Sequence, residues 1–238
     1  MLLENKTAIV YGAAGPVGTA VACAYAREGA EVHLVGRTGA TLVTLAQQIR
    51  EEGGTASYVA PLDVLDRAAV EEHAAAVADS GGIDICFNAT PNDDVQGIPL
   101  LDLAYQDFLR PVSKAITAHF TIGTAVGRHM TRRGSGVILV MAGGREAIAN
   151  LGGSHVAWAA LAGLCRQLAA EFGPAGVRVT WLLSPGSDQS GEPDTAGLLP
   201  RHQPTYAEVG TVAAFVASDW ARTITASEIN LTGGAVID

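Results

Sequence analysis

Ala8-Ile9-Val10-Tyr11-Gly12-Ala13-Ala14-Gly15-Pro16-Val17-Gly18 runs an apolar stretch straight into three glycines spaced three apart, and an Ala-rich segment follows. The apolar stretch reads as a strand and the Ala-rich segment as a helix, so the glycines occupy a strand-to-helix turn. Without a Cβ, each lets the backbone turn tightly and lets a pyrophosphate approach amide N–H groups at a helix N-terminus, where the helix dipole favours negative charge. The plain alternative for this spacing is an ordinary glycine turn. Context favours phosphate binding: the motif follows the first strand, opens a helix, and lies in a βαβ unit whose second strand ends about 20 residues further on.

Outward from that turn, short runs rich in Val and Ile alternate with longer Ala-rich stretches whose charges recur at helical spacing. This alternation predicts a parallel sheet, because βαβ crossovers lay helices over both faces. Strands are expected at Thr7–Tyr11, Glu31–Val35, Ser57–Ala60, Ile83–Phe87, Val137–Met141, Val177–Leu183 and Glu228–Leu231. Helices are expected near 16–29, 39–52, 67–80, 113–132, 153–172 and 206–219. The fold class is therefore α/β: a Rossmann-type, doubly wound, parallel seven-stranded sheet with helices on both faces. No linker or repeat divides the chain, so residues 1–238 read as a single dinucleotide-binding domain. Ser184–Pro204 stands apart, with four prolines, three glycines and little periodicity, and reads as a lid loop.

With 238 residues and 48% hydrophobic side chains, the chain can bury a large core. Its 15 Lys and Arg against 24 Asp and Glu give a formal charge of −9, which argues against nucleic acid and anionic membrane surfaces as partners. No apolar run approaches the roughly 20 residues of a membrane span. Met1-Leu2-Leu3-Glu4 is too short and acidic for a signal peptide, so a cytoplasmic protein is expected. Cys23, Cys86 and Cys165 are odd in number and lack a Cys-x-x-Cys pair, which predicts buried thiols rather than bridges or a metal site. Between Lys114 and Arg128, and between His155 and Cys165, there is no charged residue. Helices without a charged face need covering, so 113–132 and 153–172 are expected to meet their copies in a homo-oligomer, a dimer or tetramer. The alternative is burial beneath the long loop.

At the end of the second strand the chain reads Val35-Gly36-Arg37-Thr38, with no carboxylate to accept from a ribose 2′-hydroxyl. Arg37 could instead pair with a 2′-phosphate, which favours NADP(H) over NAD(H). The alternative is an exposed surface arginine.

These features resemble the short-chain dehydrogenase/reductase family along the whole chain. The landmarks recur in order: Lys6, the glycine turn, Leu62-Asp63-Val64, Asp84 and Asn88, Asp107-Phe108, Gly136-Val137-Ile138, Leu168-Ala169-Ala170-Glu171, Val177-Arg178-Val179, Pro185-Gly186 and Gly233-Gly234. The resemblance implies that Asp63 and Val64 contact adenine, that Asn88 lies by the cofactor ribose, and that Pro185, Gly186 and Ser190 border the nicotinamide. It also implies an oxidoreductase acting on a carbonyl or alcohol. The turn departs from the family form, with Tyr11 in place of its threonine and Pro16 in place of its middle glycine. Pro16 has no N–H to offer a phosphate, so cofactor affinity is expected to be reduced.

Ordinary members of the family use a Tyr-x-x-x-Lys pair, a serine and an upstream asparagine. The phenol supplies a proton as hydride moves, the lysine lowers a phenol pKa otherwise near 10, and the serine holds the carbonyl oxygen. This chain has only two lysines, Lys6 and Lys114, preceded four positions earlier by Leu2 and Arg110, so the pair is absent in any alignment. Counting from the landmarks places Ser154 at the tyrosine position, Trp158 at the lysine, Gly143 at the serine and Ala115 at the asparagine. His155, beside the vacant tyrosine position, could act as an acid near neutral pH, with Glu146, Asp188 or Tyr105 as further candidates. The plain alternative for His155 is a packed or interfacial histidine, and for Glu146 and Asp188 solvated loop charges. Three readings follow: an oxidoreductase with substitute groups, a catalytically inactive cofactor-binding sensor or subunit, and a non-redox enzyme reusing the pocket.

Overall fold

The computed structural model describes residues 1–58, 61–183, 204–234 and 236–237. In chain order the elements are β1 (Thr7–Tyr11), α1 (Pro16–Arg27), β2 (Glu31–Val35), α2 (Gly39–Glu51), β3 (Thr55–Tyr58), α3 (Arg67–Ser80), β4 (Ile85–Asn88), α4 (Tyr105–Arg133), β5 (Gly136–Ala142), α5 (Ser154–Phe172), β6 (Val177–Leu183), α6 (Tyr206–Ala217) and β7 (Glu228–Asn230). The strands form one seven-stranded sheet in the order β3-β2-β1-β4-β5-β6-β7. Every pairing is parallel, from Thr7 opposite Glu31 to Leu183 opposite Asn230.

The strand pattern builds the two cores. Ala8 and Val10 of β1 point to one face with Val32, Leu34, Ile85 and Phe87, where α1, α2 and α6 cover them. Ile9 and Tyr11 point to the other, with Cys86, Ile138 and Val179 under α3, α4 and α5. Alternate residues thus serve opposite faces, and both are apolar because both are covered. Among the described residues no helix is long and apolar enough to cross a membrane. Cys86 and Cys165 are buried and Cys23 half-buried, all three as free thiols. Burial pushes the Cys165 thiol up to about 12 and Cys86 higher still, which keeps both protonated.

Three elements start two or more residues from the expected position, and other limits move by one or two. Helix α4 begins at Tyr105 rather than near 113, running through Pro111. A proline inside a helix removes one backbone hydrogen bond, which is why the sequence suggests a later start. Here Pro111 is buried, and a Cβ on Gly153 would lie 3.1 Å from its Cγ, so packing against the start of α5 holds the ring. Strand β4 begins at Ile85 rather than Ile83. Strand β3 begins at Thr55 rather than Ser57; Val59 and Ala60, and all of the expected lid but Pro204, lie outside the described residues.

Sheet order positions the site. Beyond β1 the chain first winds outward through β2 and β3, then returns to lay β4 on the other side of β1. The strand order thus reverses at β1, with β2 on one side and β4 on the other, opening a crevice at its carboxyl end.

Candidate functional site

The glycine turn closes over that crevice. Gly12 has φ of 78°, and a Cβ there would lie 2.5 Å from the carbonyl oxygen of Ala89, just beyond β4. Gly12 and Ala13 N–H donate to the Val35 carbonyl at 2.9 and 3.1 Å, which ties the turn to the end of β2. A Cβ on Gly18 would lie 2.2 Å from the Gly12 carbonyl oxygen, so this glycine lets α1 pack directly on the turn. The first helical bond runs from Thr19 N–H to Gly15 at 2.8 Å. Helix geometry therefore leaves Val17 and Gly18 N–H at the open end, while Pro16 offers none. Tyr11 does not reach the crevice: it is buried on the opposite side, its hydroxyl 3.2 Å from His73 Nδ1.

A cavity of about 380 Å³ follows the crevice, lined by the glycine turn, by Gly36, Arg37 and Thr38 after β2, by Leu62, Asp63, Val64 and Leu65, and by Ala89, Thr90, Pro91, Asp93 and Lys114. The structure thus gathers Gly12, Gly15, Gly18, Arg37, Asp63 and Val64 around one cleft. Arg37 is exposed at its mouth, and Asp63 Oδ1 accepts from Leu65 N–H at 3.0 Å. Asn88 is buried and does not line the cavity; its Oδ1 accepts from Thr90 N–H at 3.0 Å and shapes the loop that does. Pro185, Gly186, Ser190 and Asp188 lie outside the described residues. The shape suits a nucleotide diphosphate: a glycine cradle that Cβ atoms would fill, open amides, an arginine beyond β2 and an apolar strip at Val64 and Leu65.

Sequence reasoning missed Lys114 and Asp93. Lys114 Nζ and Asp93 Oδ1 meet at 2.5 Å, with the lysine side chain 10% exposed. The signal was available, since Lys114 is one of only two lysines and opens an otherwise uncharged stretch.

The residues that the sequence reading set at the family's catalytic positions have these surroundings. Ala115 is fully buried among Ala157 and Leu161. Ser154 is fully buried, its hydroxyl without a hydrogen bond among the described residues. A Cβ on Gly143 would lie 2.0 Å from Cδ2 and Cε2 of Trp158, so the indole occupies the space a serine side chain would need. Gly143 and Trp158 are thus interlocked: the glycine makes room for the ring. Gly143→Ser is expected to cost about 1–3 kcal/mol as the ring is forced outward, and Gly143→Ser with Trp158→Lys to recover most of that, read from urea midpoints. A single variant as stable as the parent would show that the ring moves freely.

His155 is half-buried and its Nδ1 lacks a hydrogen bond among the described residues. Glu146 is exposed, and Tyr105 is 70% exposed at the start of α4. None of the three lines the cavity.

The model of the family described as enoyl-(acyl carrier protein) reductase matches residues 12–236. The chain is 32% identical over 250 residues to a D-threitol dehydrogenase of Mycolicibacterium smegmatis, covering 99% of this chain and 94% of that one. It is 34% identical over 188 residues to a gluconate 5-dehydrogenase of Gluconobacter oxydans, covering 77% and 72% of the two chains. Among solved structures, a citronellol catabolism dehydrogenase of Pseudomonas aeruginosa superposes with a TM-score of 0.86 at 27% identity, covering 98% of this chain and 96% of that one. The chain belongs to the short-chain dehydrogenase/reductase family of oxidoreductases, whose members bind nicotinamide dinucleotides.

Proposed function

We propose that the chain is one domain that binds NADP(H) in the β1/β4 cleft and acts as a cytoplasmic oxidoreductase on a small carbonyl or alcohol substrate, without the usual Ser/Tyr/Lys set. The observation that carries this is the single cavity gathering the glycine turn, Arg37, Asp63 and Val64. In this reading Val17 and Gly18 N–H hold the diphosphate, Arg37 pairs with the 2′-phosphate, and Asp63 and Val64 bound the adenine. Asn88 lies near the ribose, and Pro185, Gly186 and Ser190 border the nicotinamide. When bound, the dinucleotide supplies or accepts the hydride. Relatives named for D-threitol and gluconate support a small polyhydroxylated substrate.

A second reading, a cofactor-binding sensor or subunit without turnover, is favoured by the indole packed on Gly143. Helices α4 and α5, which expose Phe120 and Val156, are the faces by which copies would pair. Sedimentation of a monomer at micromolar concentration would count against that pairing.

Titration of the protein with NADPH and NADH, followed by tryptophan fluorescence, tests the cofactor assignment. NADPH should bind more tightly, and Arg37→Ala should weaken it roughly tenfold or more while leaving NADH unchanged, since one charge-assisted pair is lost. Equal affinities, unaffected by the substitution, would remove the 2′-phosphate role. Turnover of a polyol or carbonyl panel, read as nicotinamide absorbance, separates the two readings: turnover supports the oxidoreductase, and binding without it the sensor or subunit.

A further inference from the structure

Resting on the nucleotide-binding reading above, we propose that Lys114 is a phosphate-binding cation of this cleft, held in reserve by Asp93 and passed to the nucleotide when it enters. The ordinary family positions provide no lysine here, because Trp158 stands where one would be. Lys114 comes to the cleft from a different helix, α4, next to the vacated asparagine position at Ala115.

Its side chain is nine-tenths buried and its ammonium fully so. Nζ lies 2.5 Å from Asp93 Oδ1, yet it makes no hydrogen bond among the described residues, since the contact is not aligned as one. Asp93 balances the charge but leaves the N–H bonds without aligned acceptors. Buried ammonium donors in that state lack what water gave them, and an oxygen-rich anion in the adjoining cavity would restore it. The pairing is loosely built on the other side as well: Asp93 is half-exposed and its backbone is left-handed, with φ of 58°.

Charge in the cleft points the same way. Among the described residues, the ionisable ones lining the cleft are Arg37, Lys114, Asp63 and Asp93. While Lys114 is engaged with Asp93, Arg37 is the other cation that the described lining offers a nucleotide diphosphate, in a chain of formal charge −9. Pro16 also removes an amide from the phosphate turn. Handing Lys114 to the phosphates supplies a donor that the turn lacks, and leaves Asp93 free to be hydrated at the surface.

The test is binding by calorimetry of NADPH, ADP and adenosine to the full chain and to Lys114→Met, Lys114→Arg and Asp93→Asn, with melting temperatures taken alongside. Lys114→Met should weaken NADPH and ADP roughly tenfold or more and leave adenosine unchanged, with Lys114→Arg recovering most of the loss. Asp93→Asn should tighten NADPH and ADP several-fold, because the competing carboxylate is gone. If Asp93→Asn weakens binding as much as Lys114→Met, the pair is only structural and the proposal falls. It falls equally if Lys114→Met binds all three probes as the parent does, while the cleft reading survives on the parent's affinity. A parent chain that binds neither NADPH nor NADH would instead overturn the cofactor reading beneath it.

Discussion

Replacing Gly18 by alanine is expected to cost about 3 kcal/mol or more of stability and to abolish nucleotide binding. The added methyl would lie 2.2 Å from the Gly12 carbonyl oxygen and 2.8 Å from Ala13 Cα, so everything it meets is backbone. A clash with a side-chain tip is relieved by a rotamer change; this one is relieved only by moving α1 off the turn. That motion also displaces the Val17 and Gly18 amides, which connects the loss of packing to the loss of phosphate binding. Gly15→Ala is the internal comparison. Its Cβ would lie 3.4 Å from the same oxygen, within ordinary contact, and the cost should stay below about 1 kcal/mol. Urea unfolding and NADPH titration of both variants read the difference. If Gly18→Ala proves as stable and as competent as Gly15→Ala, the close packing assigned to this glycine is wrong.

The second large effect is loss of stability in mild acid. His119 of α4 is buried, its Nδ1 donating to the Ala115 carbonyl at 2.9 Å and its Nε2 without a partner among the described residues. Burial lowers its pKa to about 4, only partly offset by the bond to Ala115. His73, beside Tyr11, is likewise lowered to about 4, first by burial and then by repulsion from His33. Unfolded, each ring titrates near 6.5. Between pH 6.5 and 4 the unfolded chain therefore binds more protons than the folded one. The stability these rings contribute is complete above 6.5 and is lost as the pH falls toward 4, at about 3 kcal/mol for each ring. Urea unfolding at pH 7 and pH 4.5 should show the loss, and His119→Leu should remove roughly half of it. An unchanged acid slope in that variant would show that the ring is hydrated or finds an acceptor for its second nitrogen.

Much of the scaffold was legible from local chemistry. Strands β1, β2 and β6 have the limits that their sequences suggest, because parallel strands covered on both faces read as short, largely apolar runs. The start of α4 was not legible, because a proline reads locally as a boundary and only packing against Gly153 overrides it. At the site, the glycine spacing and Arg37 mark one rim of the cleft in the sequence, but the opposite rim comes from distant segments. Lys114 and Asp93 are 21 positions apart and meet only when α4 docks beside the loop after β4. The contact of Trp158 with Gly143 is of the same kind. Each residue is unremarkable alone, and the fit between them arises where β5 ends and α5 begins.

That fit constrains the order in which the site can be altered. A hydroxyl side chain at position 143 must force the ring outward unless position 158 has been cut back, whereas trimming 158 first costs only the packing of the ring. For protein engineers, as for natural variation, opening the space at 158 before filling it at 143 avoids an overcrowded intermediate.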